Sequence, residues 1–419
     1  MQMINTMDTT LLVHGKGIYD SEKHSIRSDN GLLISGEKIK KIGTFETLQK
    51  EYPDVKQLDL SSCYLFPGLF NTHVHLEFDA SLDPLPVYLG ANEKVRFMGA
   101  AIRANALLRS GVTTVRDAGS TWDLLNLQDA LAHETIQLPR LQLAGPPLTV
   151  TGGHMHFMGG EVDTIDELIR SVRIHQKRGC GAIKLVVTGG QLTPGSGADR
   201  TSYSIEQIQA VTKEAAHLGL PTFAHCLTTK GFVNAVEGGV ECIEHVACFI
   251  RNKENQILER VYEPKVMEQY RGVHRYFTQA ISCFYHVLDP YRSGEKECTP
   301  RDAFLMQQEI NQINCFRNCV ELGLIPVCGT DAGMAKTYFD ETFLELEVFV
   351  ERCGLTTSQV IDIATINSAN ALGLGSITGR LVEGYSADII ALKKNPLDDI
   401  RSFRNVEQVI CKGVCVNAK

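Results

Sequence analysis

The sequence predicts an α/β protein: a (β/α)8 TIM barrel carrying a small composite β-sandwich domain built from both chain termini. Two observations predict it. Short apolar runs alternate with amphipathic stretches through the middle of the chain. Strand-like segments punctuated by Gly, Asn and Ser bracket that middle on either side. At 419 residues, the chain has room for one large barrel and a smaller companion.

The N-terminal segment, residues 1–63, opens with LLVHGKGIY, GLLISGEKIKKIG and KQLDLSSCYLF, each a leucine or β-branched run broken by turn residues. The C-terminal segment, residues 366–419, is similar: SADIIALKK and VEQVICKGVCVN read as strands, with Gly379, Gly384 and Gly413 marking turns. The two together are assigned to the composite β domain, and residues 64–365 to the barrel. Barrel strands are expected at 64–70, 112–117, 141–147, 181–187, 221–226, 241–246, 276–283 and 325–330. Helices lie between most of them. DTIDELIRSVRIHQKRG keeps a helical apolar period up to Gly179, and SIEQIQAVTKEAAHLG starts from Ser204 as N-cap and closes at Gly219. Such alternation fits a fold that typically takes ~250 residues or more; an open doubly wound sheet is the alternative. Residues 249–300 are irregular and aromatic-rich, and read as an insertion or lid beside the barrel mouth.

Composition narrows the function classes. Hydrophobic residues make up 43% and charged residues 21%, as in a chain that buries a core. The formal charge, 41 − 49 = −8, argues against nucleic acid as a partner. No run of about 18 apolar residues suggests a membrane span. The first residues, MQMINTMDTTLLVHGKG, lack the pattern of a secretory signal, so the chain is expected in the cytoplasm. Thirteen cysteines are scattered singly, several inside apolar runs (Cys226, Cys242, Cys283, Cys328). The pairs Cys242/Cys248 and Cys315/Cys319 lack CxxC spacing, so these are read as reduced core thiols rather than disulfides or a cysteine metal site.

Five features at candidate strand ends carry chemistry. His73 and His75 in PGLFNTHVHLEF are two apart, so on a strand both imidazoles face the same way. Lys184 stands inside the apolar strand GAIKLVV. His225 in PTFAHC and His245 in CIEHVAC each end a strand, and Asp331 in IPVCGTDAG follows one. Taken singly, each has a plain structural explanation: a satisfied histidine, a snorkelling lysine, an aspartate capping a turn. Together they terminate strands at the face where barrel active sites form.

These residues carry a family resemblance over essentially the full length. PGLFNTHVHLEF and TDAG resemble the first- and eighth-strand signatures of the amidohydrolase superfamily, and ATINSANALGLGSITGRLVEGYSADIIAL its return to the β domain. More narrowly, IKLVVTGGQLTPGSG and TGGHMH look like the branch of prolidase-like dipeptidases and related amide hydrolases. The resemblance implies two divalent metal ions, with zinc first and iron, manganese or cobalt behind it. His73, His75 and Asp331 would hold one ion, His225 and His245 the other, and carboxylated Lys184 would bridge both. An ammonium beside two dications would be repelled, whereas a lysine carbamate is an anionic two-oxygen ligand.

The function implied is hydrolysis of an amide bond, of a dipeptide or N-acyl amino acid, by a metal-activated water with Asp331 as proton shuttle. His154 in TGGHMH is assigned an assisting catalytic part at the carbonyl oxygen, with a plain loop histidine as the alternative; His156 is given no role. Gly152 and Gly153 would let backbone approach a ligand. Carbamates, ureas and aryl amides are alternative substrates. A mononuclear deaminase of the same superfamily is a further alternative. Such enzymes commonly carry Glu three residues after the fifth-strand His, where this chain has Thr228, and they lack the fourth-strand lysine. Outside catalysis, the chain could be an inactive relative acting as a binding protein, a class that usually loses ligands all present here. The partner expected is a small-molecule substrate, and barrels of this kind often form homo-oligomers. A substrate carboxylate would call for a cation at the mouth, for which Arg251, Lys253, Arg271 and Arg275 stand in the right stretch.

Overall fold

A computed structural model describes residues 10–132 and 136–416, and among these the fold is mixed α/β. The reading of the first residues as lacking a secretory signal falls largely on residues 1–9, outside the described residues. No helix among the described residues is long and apolar enough to cross a membrane.

The N-terminal segment supplies β1 (Thr10–Asp20), β2 (Ser25–Arg27), β3 (Gly31–Ser35), β4 (Lys38–Gly43) and β5 (Lys56–Pro67). The middle supplies eight parallel strands: β6 (Leu69–Val74), β7 (Val112–Asp117), β8 (Arg140–Leu143), β9 (Ile183–Val186), β10 (Thr222–Cys226), β11 (Cys242–His245), then β14 (Tyr276–Thr278) and β15 (Ile325–Pro326). A hairpin of β12 (Phe249–Arg251) and β13 (Leu258–Arg260) stands between β11 and β14. The C-terminal segment adds β16 (Ile389–Leu392), β17 (Val406–Cys411) and β18 (Val414–Val416).

Strands from both ends of the chain co-assemble in one eight-stranded sheet, ordered β18-β17-β16-β5-β1-β3-β4 with β2 against β1. Strand alternation sorts its side chains. Leu11, Val13, Leu32 and Ile34 pack on one face, while Leu12 and Leu33 meet Leu48 of the helix Phe45–Glu51 on the other. The two terminal segments therefore share one hydrogen-bonded sheet.

In chain order the next element after each parallel strand except β11 is a helix or helical turn, in several cases across a loop of ten or more residues, and the long helices behave as their sequences dictate. Thr164 and Ser204 form capping boxes with Glu167 and Gln207, and Gly179 and Gly219 close those helices in the left-handed region, at φ 84° and 71°. The parallel strands form a three-stranded sheet, β6-β7-β8, and a five-stranded one, β9 to β15, rather than one continuous ladder. Isolated parallel bridges, Val74–Ala332 and Leu148–Leu185, link them. The pairing of β6 with β7 shifts register twice, and beyond β15 the chain approaches β6 so closely that a Cβ on Gly329 would lie 2.8 Å from His73 Cβ. The expected first strand also moves: residues 64–67 extend β5, and β6 begins at Leu69. The irregular stretch 249–300 resolves into the β12–β13 hairpin, β14 and short helices.

Candidate metal centre

The C-terminal ends of the parallel strands open into one cavity of about 460 Å³. His73, His75, His154, Lys184, His225, His245 and Asp331 all line it. The segments carrying the first and last of these are tied by backbone bonds, Asp331 N to His73 O at 2.9 Å and His75 N to Ala332 O at 2.8 Å.

His73, His75 and Asp331 offer one ligand atom each, all within 4.8 Å of one another. Asp331 Oδ1 lies 3.4 Å from His75 Nε2 and 3.6 Å from His73 Nε2, is buried, and has no hydrogen-bond partner. A buried carboxylate oxygen without a donor is costly unless a cation meets it. His73 Nδ1 sits 2.5 Å from Glu244 Oε2, which leaves Nε2 with its lone pair facing Asp331. His75 Nδ1 points to Gly119 O at 3.4 Å, with the same consequence. This donor set fits a divalent cation of zinc type.

The remaining imidazoles continue in a row. Ring centroids step 5.0 Å from His73 to His245, 4.8 Å to His225, and 4.6 Å on to His154. Burial first, and nearby positive charge second, hold all five imidazoles neutral: His75 and His154 are pushed down to about 3, and His73, His225 and His245 lie well below the usual range. Neutral imidazoles are what a metal binds. Lys184 is buried on β9 with Nζ 4.8 Å from the Phe223 ring centroid. Burial lowers its pKa to about 8, against the pull of Glu244 and Asp331, which brings the neutral amine within reach of neutral pH. Burial raises the Asp331 carboxyl to about 7, opposed by Lys184.

Backbone conformation is unusual at two of these positions. His245 and Asp331 adopt φ of 71° and 61°, left-handed values that non-glycine residues rarely take, and Val246 follows at 38°. Strain of this kind persists where surrounding structure over-determines it and clusters at functional sites.

Several supporting residues were not singled out in the sequence. Glu244, fully buried, accepts from His73 Nδ1 and from Arg116 Nη2 at 2.7 Å; Arg116 also donates to Thr72 O at 2.8 Å and stacks 3.8 Å over Phe223. Their signal was the one that exposed Lys184, a charge inside an otherwise apolar strand. Thr193 accepts from Met155 N at 2.9 Å and its hydroxyl lies 3.0 Å from His154 Nδ1, within reach to donate to that nitrogen and so favour the Nε2–H form. Thr228, where a deaminase would carry Glu, caps the helix Thr229–Glu237 by accepting from Gly231 N. His156 begins a short helical turn and does not line the cavity. The four cations expected at the mouth lie elsewhere: Arg251 pairs with Asp199, Arg271 with Glu268, Lys253 is exposed, and Arg275 donates to His274 O. Arg260, at the end of β13, lines the cavity instead. The thirteen cysteines are free and most are buried, in line with core thiols.

The sequence model of the amidohydrolase family matches residues 64–416. Ochratoxinase of Aspergillus niger is 26% identical over 415 residues, covering 90% of this chain and 80% of that protein. A crystal structure of a Xaa-Pro dipeptidase with methionine bound in its active site superposes with a TM-score of 0.81 at 25% identity, covering 98% of this chain and all 100% of that one. The crystal structure of A. niger ochratoxinase superposes with a TM-score of 0.79 at 23% identity, covering 98% and 96% of the two chains, a likeness of fold.

Proposed function

The chain belongs to the amidohydrolase family, and from that premise we propose a binuclear metal-dependent hydrolase that cleaves the amide bond of a dipeptide or N-acyl amino acid. The reading is supported most by the shared cavity: His73, His75, Lys184, His225, His245 and Asp331 line it together, with Asp331 Oδ1 buried and unpartnered. His73, His75 and Asp331 would hold one ion, His225 and His245 the second, and Lys184 as its carbamate would bridge them. Bound divalent ions, zinc by the nature of the donors, would supply Lewis-acid polarisation of the scissile carbonyl and lower the pKa of water toward ~7.

The chain's own residues then move the protons. The Asp331 carboxylate takes the proton of the water that adds to the carbonyl carbon, and passes it to the leaving nitrogen as the C–N bond breaks. His154, kept as the Nε2–H form by Thr193, donates to the carbonyl oxygen as negative charge develops there. Amide cleavage rather than deamination of a ring is expected because this chain carries Thr228 where such deaminases commonly carry Glu, and Lys184 where they lack a lysine. Within the same reading, residues 1–63 and 366–419 form a composite β-sandwich domain and 64–365 a closed (β/α)8 barrel, and the enzyme works in the cytoplasm. Sedimentation would report whether it forms a homo-oligomer.

The test is a panel of dipeptides, N-acyl amino acids, carbamates, ureas and aryl amides offered to zinc-loaded enzyme, alongside metal analysis. Two ions per chain and amide hydrolysis are expected, with Asp331→Asn slower by at least about 10²-fold. Full activity in Asp331→Asn, or one ion per active chain, would overturn the proposal.

A further inference from the structure

The hairpin β12–β13 delivers one more group to the cavity. Arg260 stacks on Phe249 with its Cζ 4.6 Å from the ring centroid. Its Nε and Nη1 are both buried and neither has a hydrogen-bond partner. The titratable groups nearest it are the thiols of Cys283, Cys315 and Cys248, which burial keeps neutral, and no aspartate or glutamate is among them. A buried guanidinium without an anion is costly, and its planar fork is shaped to take a carboxylate by two parallel hydrogen bonds. Among the described residues, Lys184 and Arg260 are the only lysine or arginine lining this cavity, and Lys184 stands among the histidines. Arg260 is near enough to the centre for its charge to act on His245.

Two further polar atoms wait beside it. Gln279 and Gln312 line the cavity, and the side-chain oxygen of each is buried without a donor. Gln312 Nε2 donates to Gln279 O at 2.6 Å, which turns its own oxygen away from that bond. Apolar residues also line the cavity, Leu192, Leu227, Phe284 and Val287 among them, with Leu227 packed in one cluster with Phe249.

Resting on the amide-hydrolase reading above, we propose that Arg260 binds the free α-carboxylate of the substrate. The substrate class is then an N-acyl amino acid or dipeptide whose C-terminal residue is apolar. Water adds to the acyl carbon, the C–N bond breaks, and the proton goes to nitrogen, so the products are a carboxylic acid and a free amino acid. Carbamates, ureas and aryl amides without a carboxylate leave Arg260 unpaired and are poor substrates.

The experiment compares N-acetyl-L-phenylalanine with N-acetylphenethylamine, which has the same amide bond and no carboxylate, in the metal-loaded wild type, Arg260→Gln and Arg260→Lys. Calorimetric binding of L-phenylalanine to the same three proteins gives a readout independent of turnover, and thermal melts check folding. The wild type is expected to favour the acid by about 100-fold or more in kcat/KM. Arg260→Gln is expected to collapse that ratio toward one, mainly through KM, and to weaken L-phenylalanine binding by a similar factor. Arg260→Lys, with a point charge in place of the fork, restores part of both. An Arg260→Gln enzyme with wild-type preference and wild-type L-phenylalanine binding would overturn the proposal and leave the amide-hydrolase reading standing. Arg260-dependent binding in a protein that hydrolyses no amide would support the carboxylate site and overturn the reading of the reaction.

Discussion

His73 and Glu244 share a short bond, Nδ1 to Oε2 at 2.5 Å, while the other oxygen of Glu244 is held by Arg116 at 2.7 Å. The three residues come from β6, β11 and β7, so one buried carboxylate ties three strands and fixes which nitrogen of His73 faces the centre. Substituting Glu244→Gln removes the charge and keeps the shape. Metal affinity measured by chelator competition should fall ~10–100-fold. The melting temperature should fall too, because Arg116 is left buried without its anion, a loss of about 3–5 kcal/mol when one partner of such a pair is removed.

Lys184→Ala tests the bridge. Its removal takes away the one anionic group expected between the two histidine pairs. Bound metal should drop below two ions per chain, and amide hydrolysis should fall by at least about 10³-fold. Reconstitution of the wild type in bicarbonate-free buffer should reproduce part of the loss. Unchanged metal content and turnover in Lys184→Ala would remove the carbamate from the scheme.

Gly190→Ala probes His154 without substituting it. An added Cβ would stand 2.4 Å from Nδ1 and Cε1 of the His154 ring, so the ring must give way. Metal content should hold while kcat falls by roughly 10–100-fold, the range for losing one donor to a developing oxyanion. Equal kcat in this variant would leave His154 with a packing role.

Glu345 sets a pH dependence outside the centre. It is buried, accepts from Ile281 N and Ser282 N at 3.0 and 2.6 Å, and burial raises its carboxyl from 4.5 to about 7. Between those two values the unfolded chain releases the proton and the folded chain keeps it, so stability falls as pH rises through that window and levels off above it. The full effect is ~3 kcal/mol. The wild-type melting temperature should fall as pH rises from 4.5 to 7, whereas Glu345→Gln, which loses one of the two acceptors but cannot titrate, should lack that fall; parallel melting curves would count against it.

Much of the centre was legible because its chemistry violates local expectation. A lysine inside IKLV, or two histidines flanking one valine after an apolar run, has no cheap explanation in a packed strand. Arg116 in VTTVRD and Glu244 in CIEH broke the same rule and were passed over, being read as strand and as the neighbour of His245. Arg260 could not be found this way. It ends a three-residue strand in a hairpin too short to show a period, and its guanidinium lies over Phe249. The terminal sheet was legible from its turn residues, but its layering was not, since alternation marks two faces without saying what covers each. The register shifts between β6 and β7, at Leu69–Phe70 and Asn71–Val74, are likewise announced by no side-chain pattern.

The left-handed backbone at His245 and Asp331 bears on anyone who would transplant this centre. Copying the histidines, lysine and aspartate onto the strands of another scaffold would place the right atoms on chains that relax to ordinary dihedrals, and two of the side chains would swing off target. What must be moved is the pair of bent strand exits, with the neighbours that hold them bent; the side chains are the easier half of the graft.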